Sequence, residues 1–425
     1  MSAKKKVIIF ASFFNNSKHV GTYRIKRVIK WLNNHSFDVY VVSLGSSSFK
    51  MTHEWGTNIV IHSYTINFLE NLLKTGLKFY PIKVIYIIFK FLLKILFVPD
   101  EEMLWVNKVC KNEEIVKVSS DVDFLFASSP LESGHVASYK MSKKVFKPYI
   151  VDMRDGWLDE SLKPDYFSKI FFRKKYETWL ENKILTEAKV IFVSSENWKN
   201  LLVKRKPILE DKVKVITNAY PNNYSNLNFQ KKISNNSNLK LFYIGRLTGS
   251  RKTQKAEYLL EPFEKYKFAS NSNVEVNVFG NLRRIDISDL IQIKKQSIGK
   301  HYSILIKGFV PRELLLPKIN ESNGLLLLSV SNNAIPVKFY EYLICKRPVL
   351  TITFNDSALW NVCLALPQFF LYELNGNIDY NKNITDAFLS ACKTGNVEYF
   401  VPEKYSEEFI GNIFCNALDK MSLTL

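Results

Sequence analysis

The sequence predicts an α/β protein of two doubly wound domains, each a parallel sheet covered by helices, and three observations predict it. The chain has 425 residues, more than one hydrophobic core ordinarily organises, with 47% hydrophobic and 14% aromatic residues to fill two. Short apolar runs of strand length alternate with helix-length amphipathic stretches. The alternation stops once, in an Asn-, Ser-, Tyr- and Lys-rich stretch over 218–238 with Pro221 near its start, and then resumes.

The opening is a βαβ unit: an apolar strand over 7–14, an Asn- and Ser-rich loop over 15–21, an amphipathic helix over 22–33 and a strand over 38–43. Strands follow over 123–127, 149–151, 190–193 and 213–216, so residues 1–220 form the first domain. After a linker over 221–238, strands over 239–244, 274–279, 303–306, 325–328 and 349–353 define a second domain over 239–402. Residues 325–328 are four consecutive leucines, the pattern of a strand buried on both faces. A final helix over 403–420, within the segment 403–425, is expected to pack back towards the first domain.

Charge and cysteine content narrow the function. The net charge of +19 admits a nucleic acid or an anionic membrane as partner. The basic residues are dispersed among Asn and Ser and match no nucleic-acid-binding motif, so no nucleic acid partner is expected. Five scattered cysteines without Cys-x-x-Cys spacing indicate neither a disulfide framework nor a zinc site, and suggest a reducing, cytoplasmic compartment. The apolar run at 7–10 is too short for a signal peptide and suits a first strand.

The segment 79–98 is nearly long enough to span a bilayer. Lys83, Lys90 and Lys94, however, fall within roughly 40° of one another around a helix. A Lys at the bilayer centre costs about 2.5–3.5 kcal/mol, so the stripe favours a helix lying in the interface of an anionic membrane over a span. A core helix with its Lys stripe in water is the alternative.

Four constellations carry chemistry. In 333–350 a loop, a short helix and a buried strand follow one another, with Pro336 at the first helical position and Lys338 and Glu341 on one helical face. That loop leaves the carboxyl end of the leucine strand, where α/β sheets bind ligands and where a phosphate meets unpaired helix N–H groups. A surface helix with one Lys–Glu pair is the plain alternative. After the strand ending at Ile244, Gly245 permits a sharp turn, and Arg246 with Lys252 suits a diphosphate. In the first domain Asp152, Arg154 and Asp155 lie just beyond a strand, where a carboxylate can take a hydroxyl proton or bind a sugar, although Asp152 could merely cap a turn and pair with Arg154. His135 follows another strand end and could face the same ligand or be structural. The remaining histidines have no metal-ligand spacing, so no metal and no cofactor is expected. No P-loop, Gly-x-Ser-x-Gly elbow or strict Gly-x-Gly-x-x-Gly is present, against a kinase, a hydrolase and a dinucleotide oxidoreductase.

Over nearly its whole length the chain resembles the GT-B glycosyltransferases, family 4 in particular: two doubly wound Rossmann-like domains facing across a cleft. Gly245-Arg246 with Lys252 resembles the family's Gly-Arg…Lys pair for the donor diphosphate. Residues 335–343 and 347–350 resemble its Pro-x-Lys-x-x-Glu-Tyr-Leu…Lys-Pro-Val-Leu segment, which implies that Glu341 binds the donor ribose. Gly308-Phe-Val-Pro311 is similar to the loop whose backbone contacts the base, here through Val310. Gly21 and Arg24 match the glycine loop and helix after the first strand, and Pro99-Asp100 with Trp105 another recurrent stretch. Residues 152–157 resemble the Asp-x-Arg-Asp-x-Trp motif of a polysaccharide-building subgroup.

Two departures stand out. The position eight before Glu341, a glutamate in the family, is Asn333, and the usual Asn-Gly is Asn218-Ala219. The resemblance implies transfer of a sugar, metal-independent and with retention of configuration, from a nucleotide diphosphate sugar. The acceptor would be a lipid-linked saccharide in capsule, O-antigen or exopolysaccharide assembly, with the protein peripheral on the inner membrane face. In this reading Asp155 or His135 positions the acceptor, Asp152 and Arg154 support it, and Asn333 hydrogen-bonds the sugar. A noncatalytic scaffold, suggested by Asn333, and a nucleotide-sugar epimerase are the rivals.

Overall fold

A computed structural model describes residues 4–16, 20–63, 88, 91–93, 95–159, 170–222, 229, 238–247, 254–264, 273–297 and 301–422. The chain divides into two compact units, the first made of Met1–Ser194, Trp198–Ile216 and Gly411–Leu425, the second of Ser195–Asn197 and Thr217–Ile410.

In the first unit, the described residues form an eight-stranded sheet in the order β3-β4-β2-β1-β5-β6-β7-β8. Its strands are β1 (Lys5–Phe10), β2 (Phe37–Gly45), β3 (Phe49–His53), β4 (Gly56–His62), β5 (Phe124–Ser128), β6 (Tyr149–Met153), β7 (Val190–Val193) and β8 (Val213–Val215). Every pairing is parallel except β3 with β4. The strand order reverses between β1 and β5, so the loops after these two strands flank the position where open α/β sheets bind ligands. Helix α1 (Val20–Asn34) crosses from β1 to β2, and α2 (Met103–Lys111), α3 (Glu113–Asp121), α4 (Ser133–Val145), α5 (Phe171–Glu187) and α6 (Glu196–Arg205) follow. The Asn112 side chain accepts from the Ile115 amide at 3.0 Å and so starts α3.

In the second unit a six-stranded parallel sheet has the order β11-β10-β9-β12-β13-β14. The strands are β9 (Asn238–Ile244), β10 (Asn273–Phe279), β11 (Tyr302–Gly308), β12 (Gly324–Leu328), β13 (Val349–Thr353) and β14 (Phe369–Glu373). The helices are α7 (Glu257–Glu264), α8 (Arg284–Gln296), α9 (Arg312–Lys318), α10 (Val337–Tyr342), α11 (Ala358–Cys363) and α12 (Ile378–Thr394), and α13 (Glu407–Ser422) starts here but belongs to the first unit from Gly411 onwards. Both faces are covered, which is why β12 is apolar throughout: Leu326 and Leu328 enter one core, Leu325 and Leu327 the other. Here the order reverses between β9 and β12.

The structure differs from the sequence reading at several places. The hairpin β3–β4 and strand β14 were not predicted, and β3, exposed at all five positions with Lys50, Thr52 and His53, carries no alternation to reveal it. Gly21, expected in a loop, lies in the first turn of α1. Pro336 sits just before α10, not at its first position. Strand β6 runs on to Met153, so Asp152 is inside the strand and not beyond it. The C-terminal helix begins at Glu407, because Glu403–Tyr405 is a separate turn and the Ser406 hydroxyl accepts from the Phe409 amide at 3.1 Å. The Lys stripe of 79–98 lies outside the described residues, among which no helix is long and apolar enough to cross a membrane.

Candidate functional site

At the carboxyl edge of the second sheet, three neighbouring strands end in glycines with positive φ: Gly245 at 125°, Gly280 at 154° and Gly308 at 72°. They are stitched together, the Gly245 amide donating to the Phe279 carbonyl at 2.7 Å and the Gly280 amide to the Gly308 carbonyl at 2.8 Å. Side chains are excluded at two of the three. A Cβ on Gly280 would lie 2.3 Å from the Gly245 carbonyl oxygen, and one on Gly245 only 2.4 Å from Cε and Nζ of Lys338.

Lys338 reaches Gly245 from α10, on the far side of the point where the strand order reverses. Phe339, Tyr340 and Tyr342 anchor α10 in the core, with the Phe339 ring 5.4 Å from Phe369 and 5.6 Å from Tyr405. Half-buried Lys338 and Glu341 are left on the side that is not packed away. The Lys338 ammonium sits 4.3 Å from the centroid of the Tyr243 ring, a cation–π contact. Loss of hydration pulls its pKa down to about 8, against the charge of Glu341, which raises it. Tyr243 also donates its hydroxyl to the Arg246 carbonyl at 2.6 Å, and Gln254 donates to the Leu247 carbonyl, so the turn is fixed from beneath while the Arg246 side chain is exposed. One cation lies against the turn and another projects from it.

The loop between β12 and α10 completes this edge. The Ser331 hydroxyl accepts from the Ala334 amide at 2.9 Å and the Asn333 amide at 3.3 Å, and the Asn333 carbonyl accepts from the Ser195 hydroxyl. Val310 lies half-buried just past β11. The structure thus brings Arg246, Asn333, Lys338 and Glu341 to the strand ends of one sheet, while Lys252 lies outside the described residues. Sequence reasoning passed over Tyr243 and Gly280; a lone glycine directly after an alternating strand was the available signal for Gly280.

In the first unit the predicted residues separate. Asp152 is fully buried and held by Arg24, whose Nε and Nη2 donate to its two oxygens at 2.8 and 2.6 Å. The Ser128 hydroxyl adds a bond of 2.6 Å, and Arg24 also donates to the Ile216 carbonyl at 3.1 Å. Burial pushes the Asp152 carboxyl up, but the Arg24 charge and these hydrogen bonds outweigh it and hold the group below its usual range. Asp152 is therefore a buried anchor for α1, paired with Arg24 and not with Arg154. His135 is 1% exposed in α4, stacked on Trp157 at 6.0 Å, and burial draws it down to about 4. It is a ring enclosed in the core at the start of α4. Arg154 and Asp155 are half-buried, the Arg154 amide donating to the Ser129 hydroxyl at 3.0 Å, and Asp155 lines a small pocket with Met153, Asp159 and Trp198. Gly21 is buried at the start of α1. Among the described residues no group of three His, Cys, Asp or Glu side chains could hold a metal ion.

Two doubly wound units with parallel sheets give this chain the fold of the GT-B glycosyltransferases, and three solved structures of that kind align over nearly all of it. A glycosyltransferase from Rickettsia africae ESF-5 matches with a TM-score of 0.61 at 14% identity, over 99% of each chain. The lipopolysaccharide outer core galactosyltransferase WaaB matches with a TM-score of 0.62 at 14% identity, over 98% of this chain and 99% of that one. Anabaena Alr3699/HepE, solved in complex with UDP, matches with a TM-score of 0.60 at 12% identity, over 98% of this chain and all of its own. No protein-family profile matches the sequence, and neither does any curated protein.

Proposed function

We propose that the protein is a family 4-like glycosyltransferase that moves a sugar from a nucleoside diphosphate sugar to a hydroxyl of a lipid-linked saccharide in surface-polysaccharide assembly, peripherally at a membrane. The observation that carries this reading is the packing of Lys338 on Gly245 where the strand order reverses, beside exposed Arg246. Two cations at one strand end suit a diphosphate, and a glycine edge lets its oxygens approach the backbone. The fold of the UDP-bound HepE structure supports the donor class. In this mechanism the bond between the anomeric carbon and the diphosphate oxygen breaks with its electron pair on the diphosphate, the acceptor hydroxyl oxygen bonds to that carbon with retention, and its proton passes to the departing diphosphate. The charge left on the diphosphate is met by Arg246, Lys338 and Lys252, the task a metal serves in other transferases. Glu341 holds the ribose and the Val310 backbone the base. Asn333 hydrogen-bonds the sugar. Asp155 positions the acceptor with Arg154 behind it, because Asp152 and His135 are enclosed.

The test is thermal unfolding of the purified protein with UDP, GDP, CDP and ADP and their sugars, without added metal, for wild type and Glu341→Ala. A nucleotide at 100 times its dissociation constant stabilises by about 2.7 kcal/mol. One nucleotide should raise the wild-type midpoint and leave the variant unmoved; no response to any of them overturns the donor site. Asn333, in the family's glutamate position, favours a second reading as a noncatalytic scaffold. Sugar transfer by the isolated protein, measured with the nucleotide found, removes it.

A further inference from the structure

Helix α5 is built inside out. Its core-facing side carries Arg173, Glu177 and Glu181, all buried, together with Leu180 and Ile184. Its solvent side carries Phe172, Tyr176 and Trp179, exposed by 82, 49 and 50%, with Phe171 at 69% beside them. At about 100° per residue, Phe172, Tyr176, Trp179 and Lys183 fall within roughly 60° of arc. The rings are ordered among themselves: Phe171 meets Phe172 edge-on at 5.6 Å, Tyr176 stacks on Trp179 at 5.5 Å, and the Lys183 ammonium lies 5.1 Å from the Trp179 ring. Exposed Lys175 borders the stripe and exposed Lys183 lies within it.

A second apolar face is tied to this one. The helical residues 88, 91–93, 95 and 96 expose Ile88, Phe91, Leu92 and Leu96, the last by 72%. Arg173, from the buried side of α5, donates to the carbonyls of Ile95 at 3.2 Å, Phe97 at 3.0 Å and Pro99 at 2.9 Å. Its guanidinium thus fixes the end of that segment against the start of α5. Ionised groups are costly to bury, so their place on the core side is not what water-facing amphipathicity produces.

We propose that the outer face of α5 is a docking surface for an anionic phospholipid bilayer, with the rings of Phe171, Phe172, Tyr176 and Trp179 at headgroup depth and Lys175 and Lys183 against the lipid phosphates. Tyr and Trp present an apolar body and a polar tip, the combination that suits the interface, and the flanking lysines supply charge complementary to anionic lipid. This inference rests on the membrane-peripheral reading above and gives it a surface on a helix other than the Lys stripe of 79–98.

Flotation with vesicles of phosphatidylglycerol and phosphatidylcholine in equal parts, against phosphatidylcholine alone, tests it in the full-length protein. Wild type should float with the anionic vesicles only. Phe172→Ser/Trp179→Ser should lower partitioning at least tenfold, and Lys175→Gln/Lys183→Gln by about tenfold or more. Equal flotation of wild type and both variants overturns the proposal, as does a concentration-dependent dimer abolished by the same substitutions, which would make the face a contact between copies. Should the double serine variant not fold, quenching of tryptophan emission by brominated anionic lipid, larger in wild type than in Trp179→Phe, decides the matter; equal quenching overturns the assignment. Nucleotide-induced stabilisation is read separately: if it persists without vesicle binding, only the docking face fails, and if vesicles bind without it, only the donor site fails.

Discussion

The ammonium of Lys338 lies against the Tyr243 ring, and its loss of water on folding draws its pKa down to about 8 from the 10.5 of an ordinary lysine. The unfolded chain therefore binds more protons at this residue between those two values, and the stability of wild type relative to Lys338→Met should rise with pH across that window, as paired denaturant titrations would show. Nucleotide affinity should run the other way, weakening above about pH 8 as the cation is lost, and that dependence should be missing in Lys338→Met. At Gly245, Ala meets both a φ of 125° and the Lys338 side chain, whereas at Gly308 it meets a φ of 72° and open space. Gly245→Ala should accordingly cost about 1–3 kcal/mol and abolish nucleotide binding, with Gly308→Ala nearer 1 kcal/mol in the same unfolding assay. Arg24→Met leaves the Asp152 carboxylate buried without its partner and should cost about 3–5 kcal/mol at neutral pH. That cost should shrink as pH falls and the stranded carboxyl takes up a proton, while the wild-type pair, with its depressed carboxyl, loses its own contribution in the same direction.

Elements hold these residues in place by burying what lies behind them. Helix α10 presents Lys338 and Glu341 because three buried aromatic anchors, Phe339, Tyr340 and Tyr342, leave it one orientation. The part of α13 within the first unit is placed as tightly. A Cβ on Gly411 would lie 2.5 Å from Cδ1 of Trp31, and the Phe414 ring sits 5.5, 5.9 and 5.1 Å from Trp31, Phe126 and Phe192. Phe414→Ala should therefore cost about 3–5 kcal/mol in equilibrium unfolding, a core penalty although the residue lies in the last turns of the chain.

For the whole molecule, two units with separate cores give ligand binding a regional signature. Amide exchange should slow on nucleotide addition at 243–247 and over 331–343, where the glycine edge and α10 meet, and remain unchanged along β3. Much of this architecture was legible in the sequence. The leucine run of β12, the alternation of β10 and the glycine after β9 are local patterns, and strand identity, parallel order and the chemistry of strand ends follow from local patterns read in order. What sequence could not supply was partnership at a distance. That Asp152 belongs to Arg24, that His135 is enclosed against Trp157, and that Lys338 rests on Gly245 depend on residues brought together across long stretches of chain. The face of α5 that meets the core is decided the same way, since its periodicity admits aromatic rings on either side and only packing against the sheet selects one. The sequence by itself determined the elements and the kind of chemistry their ends can carry. The tertiary structure decided which polar groups are buried as anchors and which remain exposed to act, because burial is set by every neighbour at once and not by the residues next in line.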